Sequence, residues 1–246
     1  MEFEILYYNS RLLRDAFEVL SRSMEELPLK IENGLRIREM NSGHTILADL
    51  HLPEEEFLEY SIGGDGEKVP YVNLEHLMKA LNRHRDERIG LKTEGNRLLI
   101  RYPDTKRTFW VPIEWEKARE LLEPKLCLQA RLTLANPEEL IAALKDIESN
   151  DFYDFAAVVL TAEEDRVEVS AENVERRYSK VFDREDATIV SSGRQRSCYS
   201  LNLLKSVLTT RLGPVSLEWA SDSPLQVTYQ VGRGGTLRFM LAPRAC

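Results

Sequence analysis

The amino-acid sequence predicts an α+β protein of two topologically similar domains, each with two helices packed on antiparallel sheets. Three features predict it. Many short runs alternate apolar and polar residues between Gly, Asn, Asp and Pro turns. Four segments instead space their apolar residues at the helical period. The order strand, helix, strands, helix, strands fills residues 1–113 and recurs over 127–246, with a charged linker at 114–126 between them.

Residues 3–8 alternate as a first strand. Asn9 or Ser10 caps a helix through Arg22, with Leu13, Ala16, Phe17 and Leu20 on one face and Arg11, Arg14, Asp15 and Glu18 on the other. Strands follow at 29–31, 34–40 and 45–52, joined in part by the hairpin signal Asn33-Gly34, then at 57–60. Gly63-Gly64-Asp65-Gly66 reads as a turn. Asn73 caps a second helix, with Leu74, Leu77, Met78 and Leu81 inward and Glu75, His76, Lys79 and Arg83 outward. Three strands close this half at 88–93, 97–102 and 107–113.

After the linker, a strand over 127–134 leads to Asn136-Pro137-Glu138-Glu139. This is a helix start, with a cap residue, proline at the first position and glutamate three residues past the cap. Leu140, Ala143, Leu144 and Ile147 face inward, Glu139, Ala142, Lys145 and Asp146 outward. Strands at 155–161, 166–171, 177–182 and 188–191 follow. Ser200 is a plausible cap for a helix over 200–210, which Gly213-Pro214 breaks. The last strands fall at 215–219, 225–231 and 236–241, the final pair joined by Gly232-Arg233-Gly234-Gly235.

Composition bounds the function. The 246 residues hold 43% hydrophobic side chains, enough for a real core. No apolar run is long enough to span a bilayer, and the acidic start MEFEILYYNS lacks the basic region of a signal peptide, so a cytoplasmic protein with no membrane is expected. Cys127, Cys198 and Cys246 are too few and unevenly spaced for a disulfide framework, and read as buried thiols. A net charge of −8 argues against a uniformly basic surface that binds DNA by counterion release.

No catalytic constellation emerges, and no cofactor. His44, Asp49 and His51 invite a metal-dependent hydrolase reading, but on a strand His44 points away from the other two. GGDG and GRGG lack the strand–loop–helix context of a phosphate cradle. The expectation is therefore no metal and no enzyme.

The run from Arg38 to Leu50, REMNSGHTILADL, resembles the "AMDxSHVxLVxL" segment of the sliding DNA clamp family, proliferating cell nuclear antigen (PCNA). Ser197-Cys198-Tyr199-Ser200-Leu201, Asp222-Ser223-Pro224-Leu225 and Leu241-Ala242-Pro243-Arg244 are similar to its "SYSL", "DxPL" and "LAPR/K" signatures, in the family's order. The resemblance spans the whole length, is closest to the archaeal branch, and implies two DNA-clamp domains assembling into a trimeric ring around duplex DNA. An acidic protein can then ride DNA if only its bore is basic.

Three surfaces are implied by that resemblance. The four helices would line the bore and present Arg11, Arg14, Lys79, Arg83, Arg85, Lys145, Lys205 and Arg211 to phosphates without reading bases. The ring would close head to tail between the strand over 105–113 and that near 177–183, with Arg107, Phe109, Trp110, Arg177, Tyr178 and Lys180 at the interface. PCNA-interacting peptides of DNA polymerase, clamp loader, flap endonuclease and DNA ligase would enter a pocket formed by Met40, His44, Leu47, Leu121, Leu122, Pro224, Leu241, Ala242 and Pro243. The function implied is a processivity factor at the nucleoid, or the nucleus in a eukaryote. Homotrimer and heterotrimer with sister subunits both stay open.

Overall fold

Apolar periodicity turns into two helix-backed sets of sheets. In the computed structural model, residues 2–63, 67–81, 86–117, 119–121, 124–149 and 157–246 are described. The chain divides into two compact units. The first takes in Met1–Ser42, Ala48–Leu122 and Gln230–Leu237, the second Gly43–Leu47, Glu123–Tyr229 and Arg238–Cys246. Each unit thus borrows one short segment from the other half of the sequence.

The first unit begins with β1 (Glu2–Tyr7) and α1 (Ser10–Leu20). Asn9 caps α1 by accepting from the amides of Arg11 and Leu12. Leu13, Ala16, Phe17 and Leu20 are buried as predicted, each such side chain contributing about 1.5–3 kcal/mol for the larger ones. Asp15 departs from expectation: it is buried, because Arg14 and Arg11 fold over its carboxylate.

Next come β2 (Glu26–Pro28), β3 (Lys30–Ile31), β4 (Gly34–Met40), β5 (Ile46–Pro53) and β6 (Phe57–Gly63). They are followed by β7 (Lys68–Asn73), α2 (Leu74–Leu81), β8 (Ile89–Glu94), β9 (Arg97–Tyr102) and β10 (Arg107–Lys117). One antiparallel sheet runs β2-β7-β10-β9-β8-β1-β6, and β5, β4 and β3 lie side by side in another. Asn73 caps α2 through the His76 amide.

Two strands here, β2 and β7, escaped the sequence. Pro70 interrupts β7 and demotes it on pattern alone, yet the strand registers with both β2 and β10, Pro70 opposite Trp115. β10 also runs four residues into the expected linker. Residues 114–117 show no apolar alternation but pair with β7, so backbone hydrogen bonding holds them as strand.

The second unit contains β11 (Ala130–Leu134), α3 (Glu138–Ser149), β12 (Ala157–Ala162), β13 (Val167–Glu172), β14 (Arg177–Phe182) and β15 (Thr188–Ser191). It continues with β16 (Gln195–Ser200), α4 (Leu201–Val207), β17 (Val215–Trp219), β18 (Leu225–Val231) and β19 (Gly235–Leu241). One sheet is ordered β14-β13-β12-β16 and the other β15-β11-β17-β18-β19. Asn136 accepts from the Glu138 amide at the start of α3.

Around α4 the prediction fails twice. The run 195–200, where no strand was expected, is a strand paired with β12 that leads directly into α4. Ser200 makes no side-chain cap bond, and α4 stops at Val207 because Leu208 is extended. The thiol expectation fails too: Cys198 and Cys246 form a disulfide, while Cys127 is free and exposed. Sequence spacing conceals this pair, since folding brings residues 48 apart to a Cα separation of 5.4 Å.

Candidate functional site

The helix faces come first. Arg11 on α1 has an exposed side chain and reaches Asp15 at 3.8 Å and Asp86 at 3.7 Å. Arg14 is largely folded onto Asp15 at 2.7 Å. Lys79 on α2 pairs with Glu75 at 2.5 Å, one turn earlier. On the second unit Lys145 is exposed on α3, Lys205 on α4 meets Glu148, and Arg211 is exposed beyond α4. Arg83 and Arg85 lie outside the described residues. Most of these cations therefore share their faces with carboxylates. The Lys79–Glu75 pair is exposed on both sides, so Lys79 can exchange partners at little cost, whereas Arg14 is held by the buried Asp15.

Two strand edges are open. Among the described residues, 107–112 of β10 pair with β9 alone, and the partnership with β7 starts at Ile113. Trp110 stands there 57% exposed, and a cavity of about 430 Å³ between this stretch and α2 is lined by His76, Lys79, Phe109, Trp110, Val111 and Pro112. In the second unit β14 terminates its sheet, with Val181 exposed. The charged residues beside these edges are ion-paired within the chain. Arg107 pairs with Glu87 at 2.7 Å and lies over the Tyr102 ring, against which Phe109 packs edge-on. Lys180 pairs with Glu139 at 2.7 Å, Arg177 reaches Glu168 at 3.4 Å, and Tyr178 donates to Asp146 at 3.2 Å. Burial, then the Asp146 carboxylate, raise the Tyr178 phenol above its ordinary value.

The pocket residues divide by unit. In the first, Met40 is half-buried at the end of β4, beside Glu39. The buried Glu39 carboxylate accepts from the Met40 amide at 2.9 Å and meets Arg119 of the linker at 3.5 Å. Leu121 joins Pro28, Val69, Arg36, Arg38 and Arg119 around a cavity of about 470 Å³. Leu122 lies outside the described residues. Glu39 and Arg119 form a tether that the sequence did not reveal, because no motif links positions 80 apart.

In the second unit the Ala242 amide donates to Thr45 at 2.9 Å, which joins the closing segment to the one bearing His44 and Leu47. His44 is exposed in a left-handed turn, φ 52°, and Pro243 is exposed. Leu47 and Leu241 are buried, so they support the surface from beneath. Pro224 is half-buried in a turn whose Ser223 carbonyl accepts from Tyr199 at 2.8 Å and whose Ser223 hydroxyl accepts from the Ala220 amide. Of the proposed metal ligands, Asp49 is buried against Arg36 at 3.1 Å. No helix among the described residues is long and apolar enough to cross a membrane.

No family model matches the chain. It is 30% identical over 254 residues to a DNA polymerase sliding clamp of Thermococcus gammatolerans, covering 99% of both chains. A DNA polymerase sliding clamp of Pyrococcus horikoshii is 28% identical over 253 residues, again with 99% of each covered. Among solved structures, PCNA from Thermococcus kodakaraensis superposes with a TM-score of 0.89 at 22% identity, over 98% of this chain and 100% of that one. A PCNA2–PCNA3 complex from Sulfolobus tokodaii gives a TM-score of 0.84 at 20% identity, over 98% and 99%. Identity at 30% across essentially the full length, on the same fold, shows that the chain belongs to the DNA polymerase sliding clamp family.

Proposed function

We propose that this chain is a sliding clamp subunit that encircles duplex DNA and tethers a DNA polymerase as its processivity factor. The full-length identity to DNA polymerase sliding clamps carries the reading. Clamping is topological and non-enzymatic: a closed ring holds DNA without much binding energy, which suits a protein of net charge −8. Domains 1–113 and 127–246, linked through 114–126, would each contribute two helices to the bore. Arg11, Arg14, Lys79 and Lys205 then trade their carboxylate partners for passing phosphates, with Lys145 and Arg211 exposed beside them. Such loose, baseless contacts permit sliding. Arg83 and Arg85 belong to the same proposed set.

The ring closes, in this reading, by pairing residues 107–112 of one subunit with β14 of the next, where Trp110 and Val181 supply exposed apolar surface. Peptides of the polymerase, clamp loader, flap endonuclease and DNA ligase bind over Met40, His44, Pro224 and Ala242–Pro243, with Leu121 and Leu122 alongside. Methionine suits a surface that accepts several partners. Cytoplasmic, nucleoid-associated localisation follows from this role.

The deciding experiment is polymerase synthesis on primed circular DNA with the chain and a loader. Long products that vanish in Met40→Asp support the assignment, and unchanged product length in that variant rejects the pocket. A second reading, a specialised subunit of a heterotrimer, is favoured by the likeness to the PCNA2–PCNA3 complex. Light scattering of the pure chain separates the two, because a heterotrimer subunit runs as a monomer or dimer.

A further inference from the structure

We propose that the Cys198–Cys246 disulfide is a redox-controlled tether that fixes the closing segment 242–246 for partner binding and releases it on reduction. The proposal rests on the partner-pocket reading for Ala242 and Pro243. Cys198 is 1% exposed on β16, whereas Cys246 is exposed, so the bond pins a surface segment to a rigid strand.

Little else holds that segment. It follows β19 without strand structure of its own, and residues 243–246 are all exposed. Among the described residues two backbone bonds support it, Ala242 N–H to the Thr45 carbonyl and Arg244 N–H to the Cys198 carbonyl, each 2.9 Å. Hydrogen bonds of this sort contribute about 0.5–1.5 kcal/mol each, comparable to the entropy of ordering one or two residues. The covalent bond is therefore the restraint that decides whether the segment stays put. A prefixed segment binds a peptide without first being ordered, so the oxidised form binds more tightly.

The chemistry is thiol–disulfide exchange with a dithiol reductant. One reductant thiolate attacks the accessible Cys246 Sγ, and Cys198 leaves as a thiolate that takes up a proton. The second reductant thiol then attacks its own sulfur in the mixed disulfide and expels the Cys246 thiolate. The clamp gains two thiols, and the reductant becomes a disulfide, a two-electron exchange. Cys127, the third cysteine, takes no part.

The test compares the full chain before and after dithiothreitol. Thiol titration of the folded chain should find one reactive thiol before treatment, and carboxypeptidase should trim the closing residues only after it. A synthetic PCNA-interacting peptide should bind roughly 3- to 10-fold more weakly to the reduced form. Cys246→Ser should match the reduced protein and ignore dithiothreitol. Three thiols in the untreated chain, trimming independent of reduction, or equal peptide affinity in both forms would each overturn the tether. Equal affinity with Met40→Asp still abolishing binding sinks the tether alone. Binding that Met40→Asp does not touch sinks the pocket reading on which it stands.

Discussion

Asp15 sits on α1 with 2% of its surface exposed and its carboxylate 2.7 Å from Arg14. Removing it leaves two guanidiniums without their buried acceptor, so Asp15→Ala should cost about 1–3 kcal/mol in urea unfolding. Arg11→Ala, which loses two long pairs of an exposed guanidinium and leaves the closer Arg14 on Asp15, should cost less, about 0.5 kcal/mol. The same Asp15→Ala change should tighten binding to duplex DNA at low salt, measured by fluorescence anisotropy, because it releases Arg11 and Arg14 to phosphates. At Gly232, φ is +72° and an added Cβ would stand 2.3 Å from Glu56 Oε2 and 2.8 Å from the Tyr7 hydroxyl. Gly232→Ala should therefore destabilise by more than about 2 kcal/mol, whereas Gly95→Ala, with open space around it, should cost about 1 kcal/mol.

Titration also acts at single residues. Lys79 holds the Glu75 carboxyl below its ordinary 4.5, and Arg88 holds Asp104 below 3.8. Groups with lowered folded values stabilise the fold above their unfolded values and lose that contribution as pH falls through the folded ones. The stability difference between the parent chain and Glu75→Gln should thus be present at pH 7 and disappear below pH 4.5.

At the scale of elements, β10 and β14 carry the assembly proposal. Trp110 is 57% exposed, so Trp110→Arg should leave the subunit folded while reducing light-scattering mass to that of a single chain. A trimer surviving in that variant would rule out residues 107–112 as the interface. Tyr178→Arg is the companion on β14, though it also removes the bond to Asp146. Element identity was largely legible. β14, β15, β17 and β18 fall where alternation predicts them; β17 and β18 each have one buried face, and β14 and β15 each bury one anchor, Phe182 and Ile189. β7 and residues 114–117 were not, because their strand character comes from cross-strand pairing that local pattern does not encode.

For the whole molecule, the clamp reading makes retention on DNA depend on topology more than on charge. A loaded ring should stay on closed circular DNA in salt that dissociates ordinary basic binders, and leave once the circle is cut. Gel filtration before and after linearisation measures this directly. The disulfide adds a global term: closing a loop between residues 48 apart should contribute about 4 kcal/mol through the unfolded state. Reduction should lower the urea midpoint of the second unit accordingly.

The sequence by itself determined the fold class, the inward apolar positions of the helices and the family, since periodicity and short motifs are local properties of the chain. Of the candidate site, it named the cations of the helices and Trp110, Met40 and Pro243, of which Trp110 and Pro243 are exposed and Met40 is half-buried. Tertiary structure alone decided the rest. It buried Asp15, Leu47 and Leu241, turned Arg107 and Lys180 onto Glu87 and Glu139, and tied Glu39 to Arg119 and Cys198 to Cys246. These outcomes depend on which distant side chain arrives beside each residue, and sequence spacing holds no record of that distance.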